Sequence, residues 1–188
     1  MGEISRQLIH LSGVLFIGLA QFTDKFMVSY IFFLIAFTFF LYSLYIIQER
    51  NRFRRFLDFL DRRIRPSVMK HERSGIPLQG AFWFYFSCGL AFLVFPHQIA
   101  TGACLILAVA DSLSTIIGHK FGRRKILGNK TLEGTITFFL AAAIIAFFFS
   151  PLPVLVAVAA TAGELLPGLA PELRRKGLLD DNLTIPLL

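Results

Sequence analysis

Charged residues are missing from three long stretches of this 188-residue chain, and these stretches limit what it can fold into. No Asp, Glu, Lys or Arg occurs in the 23 residues 26–48, the 37 residues 74–110 or the 30 residues 134–163. A helix needs about 20 apolar residues to cross a bilayer. The first stretch therefore fits one such helix, and the other two fit helical hairpins. Since lipid cannot satisfy backbone polar groups, spanning segments of this length must be helical.

The sequence predicts an all-α, polytopic membrane protein, a single membrane domain over residues 1–188 with about six transmembrane helices. Only 16% of the residues are charged and 55% are hydrophobic, which argues against a soluble domain. Prolines at 96, 151, 153 and 167 mark turns between helices. The predicted helices cover 6–22, 26–48, 79–95, 99–118, 132–150 and 154–166, with loops 49–78 and 119–131 and a tail 167–188.

Basic residues orient the predicted bundle, because Lys and Arg stay on the cytoplasmic side of a membrane. Six crossings with both termini cytoplasmic place 18 of the 19 Lys and Arg residues on that side, and only Lys25 outside. The same asymmetry accounts for the net charge of +7 through contact with anionic membrane lipids, so a nucleic acid partner is not needed. Apolar residues at helical spacing between Phe53 and Ile64 further predict an amphipathic interfacial helix.

Acidic residues gather at the same predicted membrane face. Asp111, Glu133 and Glu164 lie at or within the cytoplasmic ends of predicted helices, and Asp180 and Asp181 follow in the tail. Ionisable groups at membrane depth are costly and usually functional. Each has a simpler interpretation alone: a polar link between helices for Asp111, a favourable first-turn acid for Glu133, an arginine partner for Glu164. Their joint arrangement is what indicates a site.

Between two of these acids lies a basic, glycine-containing loop, residues 119–131. Carboxylates beside Lys and Arg are typical of a Mg²⁺–nucleotide site, because Mg²⁺ binds a few carboxylates plus phosphate oxygens, while the bases hold the remaining phosphate charge. On their own, basic loops of this kind mostly mark topology. The candidate nucleotide-binding residues are Lys120, Arg123, Arg124, Lys125, Asn129, Lys130 and Thr131. Arg6 and His10 share one helical face and are further candidates, although His10 alone fits an interior histidine.

The segments Ala110–Ile126 and Asn129–Thr135 resemble the polyprenol kinase family of dolichol kinases, phytol kinases and CTP-dependent diacylglycerol kinases. That family's pattern is a helical Asp, a Gly-x-x-x-Gly-basic loop and then Lys-Ser/Thr-x-Glu-Gly. Residues 179–187 resemble its Asp-Asp-Asn-Leu-x-Ile-Pro-Leu motif. The resemblance implies a membrane kinase that transfers the γ-phosphate of CTP to a long-chain isoprenoid alcohol of the dolichol, phytol or geranylgeraniol type.

With that resemblance, the expected catalytic residues are Asp111, Lys130 and Glu133. The expected Mg²⁺ ligands are Asp111, Glu164, Asp180, Asp181 and Asn182. The expected partners are CTP, the lipid alcohol and membrane lipids, and a homodimer stays open. Two alternatives remain: a CTP-dependent, phosphatidate-type cytidylyltransferase, whose usual His-Gly-Gly signature is missing from this sequence, and a small non-enzymatic transporter.

Overall fold

The computed structural model describes residues 13–47, 77–175 and 179–188, which form a bundle of helices. The helices are α1 (13–20), α2 (Lys25–Ile47), α3 (Gln79–Val94), α4 (His97–Leu105), α5 (Asp111–Phe121), α6 (Leu132–Phe149), α7 (Pro153–Leu169), α8 (Pro171–Arg175) and α9 (Asp181–Thr184). A π-helical turn, Ile106–Ala110, joins α4 to α5, and a 3₁₀ turn, Ile185–Leu187, follows α9. Strands β1 (Lys125–Leu127) and β2 (Lys130–Thr131) form an antiparallel hairpin.

Among the residues that the structure describes, three helices are long and apolar enough to cross a membrane: α2, the continuous helix His97–Phe121, and α6. Helices α3 and α7 are also apolar but shorter, with 16 and 17 residues. The helical fold class is therefore confirmed at this coarser level. Phe53–Ile64, Arg6 and His10 lie outside the described residues.

The structure departs from the predicted elements around the basic loop and in the tail. The helix predicted over 99–118 runs from His97 to Phe121, and the rest of the predicted loop contains the β-hairpin, so the described chain is not purely helical. The turn of this hairpin depends on Gly128, whose φ of +57° is unfavourable for a residue with a side chain. The predicted tail, 167–188, begins within α7 and also contains α8, α9 and the 3₁₀ turn.

The prediction that Pro167 ends the preceding helix is wrong, since α7 continues through it to Leu169. Proline has no N–H, so the carbonyl of Gly163, four residues earlier, loses its helical donor. The hydroxyl of Thr184 donates to that carbonyl at 2.6 Å. The tail thus supplies the hydrogen bond that proline removes from the helix.

The helix His97–Phe121 is central in the bundle: 61% of its most apolar window is buried, against 22% for α2 and for α6. Helix α2 packs along α3, where Phe32 stacks on Phe92 with centroids 5.8 Å apart and Ser29 Oγ donates to the Gly89 carbonyl at 2.8 Å. Large apolar side chains on the outer faces of α2, α6 and α7 are exposed. The bundle is therefore apolar outside as well as inside, which is compatible with a membrane protein.

Candidate functional site

The ammonium group of Lys130 lies among three carboxylates. Its Nζ is 3.0 Å from Asp181 Oδ2, 3.1 Å from Glu164 Oε1 and 3.6 Å from Asp111 Oδ1. These four residues, here called the lysine–carboxylate cluster, come from β2, α9, α7 and α5 respectively. Tertiary packing therefore builds the site from segments that are far apart in sequence.

The cluster is largely removed from water. The side chains of Asp111 and Glu164 are 3% and 1% exposed, while those of Lys130 and Asp181 are each 20% exposed. Burial by itself lowers the pKa of Lys130, but attraction by Asp181, Asp111 and Glu164 outweighs it and raises the pKa above the usual lysine value. Lys130 is therefore a fixed cation near neutral pH and cannot act as a general base.

Hydroxyl groups and a small polar cavity complete the surroundings of Glu164. Ser114 Oγ lies 3.4 Å from Glu164 Oε1, and Thr135 Oγ1 lies 3.5 Å from Oε2. The adjoining cavity measures about 80 Å³, room for several water molecules but far below the roughly 300–1,000 Å³ of a drug-sized ligand pocket. It is lined by Ser114, Thr115, Gly118, His119, Asn129, Lys130, Thr131, Gly134, Thr135, Glu164 and Asp181.

A π-helical turn sets the direction in which Asp111 projects. The Asp111 N–H donates to the carbonyl of Ile106, five residues earlier, whereas an α-helical bond would reach back four residues. The turn holds one residue more than an α-helix would, and each helical residue rotates the chain by about 100°. The wide turn therefore decides that Asp111 and Ser114 face the cluster. Such turns occur frequently at functional sites.

The tail enters the bundle between α3 and α7. Ser87 Oγ of α3 donates to the Asn182 carbonyl at 2.6 Å, and Thr184 donates to α7 as described above. An added Cβ at Gly163 would lie 3.0 Å from the Thr184 carbonyl oxygen, so only glycine lets the tail approach this closely. This docking brings Asp181 to Lys130.

Asp180 and Asn182 lie beside the cluster but bind each other. Asp180 Oδ1 accepts from the Asn182 backbone N–H at 2.9 Å and from its Nδ2 at 2.7 Å, which caps α9. Burial, and then the neighbouring charge of Asp181, raise the pKa of Asp180 to about 7. The carboxylate of Asp180 thus titrates near neutrality.

Glu133 does not join the cluster. Its Oε2 accepts from the Arg124 backbone N–H at 3.4 Å, so it holds the chain between α5 and β1 close to the start of α6. Thr131 caps α6 by accepting from the Gly134 N–H at 3.2 Å. The structure therefore gives both residues a local contact in the hairpin region.

Four predicted nucleotide-binding side chains, those of Lys120, Arg123, Arg124 and Lys125, are exposed around the outside of this region. Lys120 Nζ lies 5.4 Å from the Phe121 ring centroid. Glycines hold the region together: an added Cβ at Gly118 would lie 2.9 Å from Thr131 Oγ1, and one at Gly134 would lie 2.9 Å from the Ser114 carbonyl. Gly118 and Gly134 thus allow close packing of α5 on α6 and of α5 on the hairpin.

Of the five predicted Mg²⁺ ligands, the structure brings Asp111, Glu164 and Asp181 around one point, and Lys130 Nζ lies at that point. Within residues 13–47, 77–175 and 179–188, no group of three or more His, Cys, Asp or Glu is arranged to hold a metal ion. The donor set nevertheless suits magnesium, which prefers carboxylate oxygens. The Mg²⁺ assignment stays a prediction.

Sequence reasoning did not identify Ser114, Thr135, Gly163 or Thr184 as parts of this site. A signal was present for two of them. Ser114 lies three residues after Asp111, and Thr135 lies two residues after Glu133, each on a helix that carries a predicted site acid. Nothing local marks Gly163 and Thr184 as partners, since 21 residues separate them.

A comparison with curated proteins finds a relative that matches most of the chain. The chain is 26% identical to the uncharacterized protein RP860 of Rickettsia prowazekii (strain Madrid E) over 195 aligned positions, which cover 98% of this chain and 90% of that protein. No protein-family model matches the chain, and no solved structure matches it. The chain is thus similar, over nearly its whole length, to a protein that is described as uncharacterized.

Proposed function

We propose that this protein is a membrane-embedded lipid kinase that transfers the γ-phosphate of CTP to the hydroxyl of a long-chain isoprenoid alcohol. The observation that carries the proposal is the lysine–carboxylate cluster, in which Asp111, Lys130 and Asp181 come from the three segments that resemble the polyprenol kinases. CTP and the isoprenoid acceptor rest on that resemblance alone.

The proposed topology has six crossings with both termini cytoplasmic. It is supported by three helices of spanning length and by two shorter apolar helices. At 1.5 Å per residue, α3 and α7 measure about 24 and 26 Å, so the bilayer must thin slightly around them. The end of α5, the hairpin, the start of α6 and the tail all meet at the cluster, which belongs at the cytoplasmic face in this topology.

Phosphoryl transfer asks the protein mainly to position reactants and to neutralise charge. The cavity is too small for a whole nucleotide, so only a phosphate group would enter it, beside Lys130, Asn129 and Thr131. The rest of the triphosphate would lie across the exposed bases Lys120, Arg123, Arg124 and Lys125. The loop that the Glu133–Arg124 contact holds would then present these bases.

Asp111, Glu164 and Asp181 would hold Mg²⁺, which neutralises phosphate charge when bound. Asp111 is also the best placed acid to accept the alcohol proton, because it lies deepest along its helix from the loop and the lipid hydroxyl would approach from the membrane side. The bond from the alcohol oxygen to the γ-phosphorus forms as the bond to the β-bridging oxygen breaks, and CDP leaves.

Purified protein incubated with Mg²⁺, CTP labelled on the γ-phosphate and a panel of lipid alcohols tests the proposal. We expect label in an isoprenoid phosphate. A parallel reaction with CTP labelled on the α-phosphate and phosphatidate tests the cytidylyltransferase: label in a CDP-lipid would replace the proposal with that activity. No labelled lipid with CTP or ATP in any reaction would favour a non-enzymatic role.

A further inference from the structure

We propose that Lys130 is an internal counterion that occupies the metal position of the cluster, so that a divalent cation binds only when the ammonium group leaves. This inference rests on the proposed function, since it concerns how that site takes up its metal. Without metal, Lys130 pairs with the carboxylates. With metal bound, Lys130 pairs with a phosphate group.

The ammonium group of Lys130 lies where a metal ion bound to the three carboxylates would lie. The three carboxylate oxygens lie 3.0, 3.1 and 3.6 Å from Lys130 Nζ, which are ion-pair separations. Magnesium binds oxygen at about 2.0–2.1 Å. A cation bound to the same oxygens would therefore lie almost where Nζ lies, and the two cannot coexist.

The lysine does not balance the negative charge of the cluster. Three carboxylates and one ammonium sum to −2 in a cluster where Asp111 and Glu164 are almost fully buried. Exchanging the single positive charge for a divalent cation reduces that excess. Buried charge without compensation is costly, so a divalent cation is a better electrostatic match than the lysine, and the lysine lowers the metal affinity of the resting site.

The position of Lys130 on the hairpin allows its ammonium group to move. The side chain is partly exposed and also lines the polar cavity, together with Asn129 and Thr131. Its flexible stem can thus move the ammonium from the carboxylates into the cavity with little backbone movement. A phosphate group in the cavity would receive it there, so metal binding and phosphate binding strengthen each other, and by the same factor.

Metal binding without nucleotide tests this directly. Mn²⁺, which also prefers carboxylate ligands, is titrated into the protein in lipid nanodiscs and the free ion is followed by electron paramagnetic resonance. We expect Lys130→Gln to bind Mn²⁺ at least tenfold more tightly than the unchanged protein. The matched control is Lys125→Gln, which removes the same charge from the exposed strand of the same hairpin and should change the affinity less than twofold. Equal affinities for the unchanged protein and Lys130→Gln, or weaker binding by Lys130→Gln, would overturn the proposal.

Lys130→Gln leaves buried carboxylates uncompensated and is expected to weaken the fold. A second measurement therefore uses the protein without any substitution. The unchanged protein is treated briefly with acetic anhydride, and acetylation of each lysine is quantified by mass spectrometry with and without saturating Mn²⁺. We expect acetylation of Lys130 to rise at least threefold with Mn²⁺, and that of Lys25, at the other end of the bundle, to stay constant. Unchanged acetylation of Lys130 would overturn the exchange.

Adding tripolyphosphate distinguishes this exchange from metal binding alone. With Mn²⁺ kept in excess over tripolyphosphate, tripolyphosphate should protect Lys130 from acetylation again. Failure of the exchange with intact CTP-dependent lipid phosphorylation would leave the kinase proposal standing. The exchange without phosphorylation of any alcohol would instead leave the metal site and remove the kinase.

Discussion

The two ends of the bundle solve the same problem, how to close helix termini, in different ways. At the end with the turn between α1 and α2, closure is local: Asp24 Oδ2 accepts from the Phe26 N–H at 2.9 Å, and Ser150 Oγ accepts from the Leu152 N–H at 3.2 Å. The contact there between distant elements, from Gln21 to Thr101 at 3.0 Å, joins neutral groups.

At the cluster end, local caps at Thr131 and Asp180 are joined by contacts between distant elements, some between charged groups and some between neutral ones. Lys130 and Asp181 are 51 residues apart, and Ser87 and Asn182 are 95 apart. Local capping gives a stable turn but no site. Charged side chains from separate segments meet at the cluster in a partly buried space. Their burial costs folding free energy, because the charges are stabilised mainly by each other, but it also creates a group of charges that can bind a ligand.

The largest expected effect is on the chemistry of the cluster end. Asp111→Asn keeps the size of the side chain and removes the proposed proton acceptor and metal ligand, so phosphoryl transfer should fall by about 10²–10⁴-fold. Ser112→Ala is the control, because Ser112 bonds only its own helix, to the Ala108 carbonyl at 2.7 Å. Near-normal transfer by correctly folded Asp111→Asn would show that Asp111 is a structural link instead.

Two glycine-to-alanine substitutions compare how tightly the two ends of the bundle are packed. Gly163→Ala places a Cβ 3.0 Å from the Thr184 carbonyl oxygen and 3.2 Å from Ile185 Cα, and it should cost about 1–3 kcal/mol of unfolding free energy. Gly18→Ala meets nothing within 4 Å and should stabilise α1 by about 0.5–1 kcal/mol. Unfolding in mixed micelles by added SDS measures both. Equal values for the two variants would mean that the tail does not dock on α7.

Two threonines compare a distant hydrogen bond with a local one. Thr184→Val leaves the Gly163 carbonyl, already without a helical donor at Pro167, buried and unsatisfied, which should cost about 1–2 kcal/mol. Thr38→Val removes a bond of similar length, 2.8 Å to the Leu34 carbonyl, on the exposed face of α2 and should cost less than about 0.5 kcal/mol. The same SDS titration separates them. A Thr184→Val value as small as that of Thr38→Val would mean that another donor satisfies the Gly163 carbonyl.

The smallest effect concerns pH. Asp180 has a pKa of about 7 in the folded protein against an ordinary value of 3.8, so the folded state holds more protons between pH 4 and 7. Stability should therefore fall as pH rises through this window, by about 1 kcal/mol between pH 6 and 7. Asp180→Asn should flatten this part of the pH profile of unfolding. An unchanged profile would place the Asp180 carboxylate in water.

The positions of most helices could be predicted from the sequence, because long apolar helices leave long stretches without charged residues. The helix predicted over 132–150, for example, is observed as Leu132–Phe149. The hairpin at 125–131 was missed because its strands have three and two residues, too few to show alternation. The continuation of α7 through Pro167 was missed because the compensating donor, Thr184, comes from another segment.

The candidate site was predicted by residue type more than by arrangement. Asp111, Glu164, Asp181 and Lys130 do meet, but the sequence could not say that Lys130 lies among the acids while Glu133 and Asp180 bind elsewhere. Those details depend on which way each side chain projects. Projection depends in turn on the π-helical turn and on the docking of the tail, neither of which has a local sequence signature here.

The π-helical turn at Ile106–Ala110 also affects how this chain should be compared with its relatives. A relative that lacks the turn would be one residue shorter there, yet its aspartate could keep the same position in space. An alignment without a single-residue gap at this point would then match Asp111 with an apolar neighbour and make a shared acid look lost. Relatives of this protein are best aligned from Asp111 outward, with the length difference placed before it.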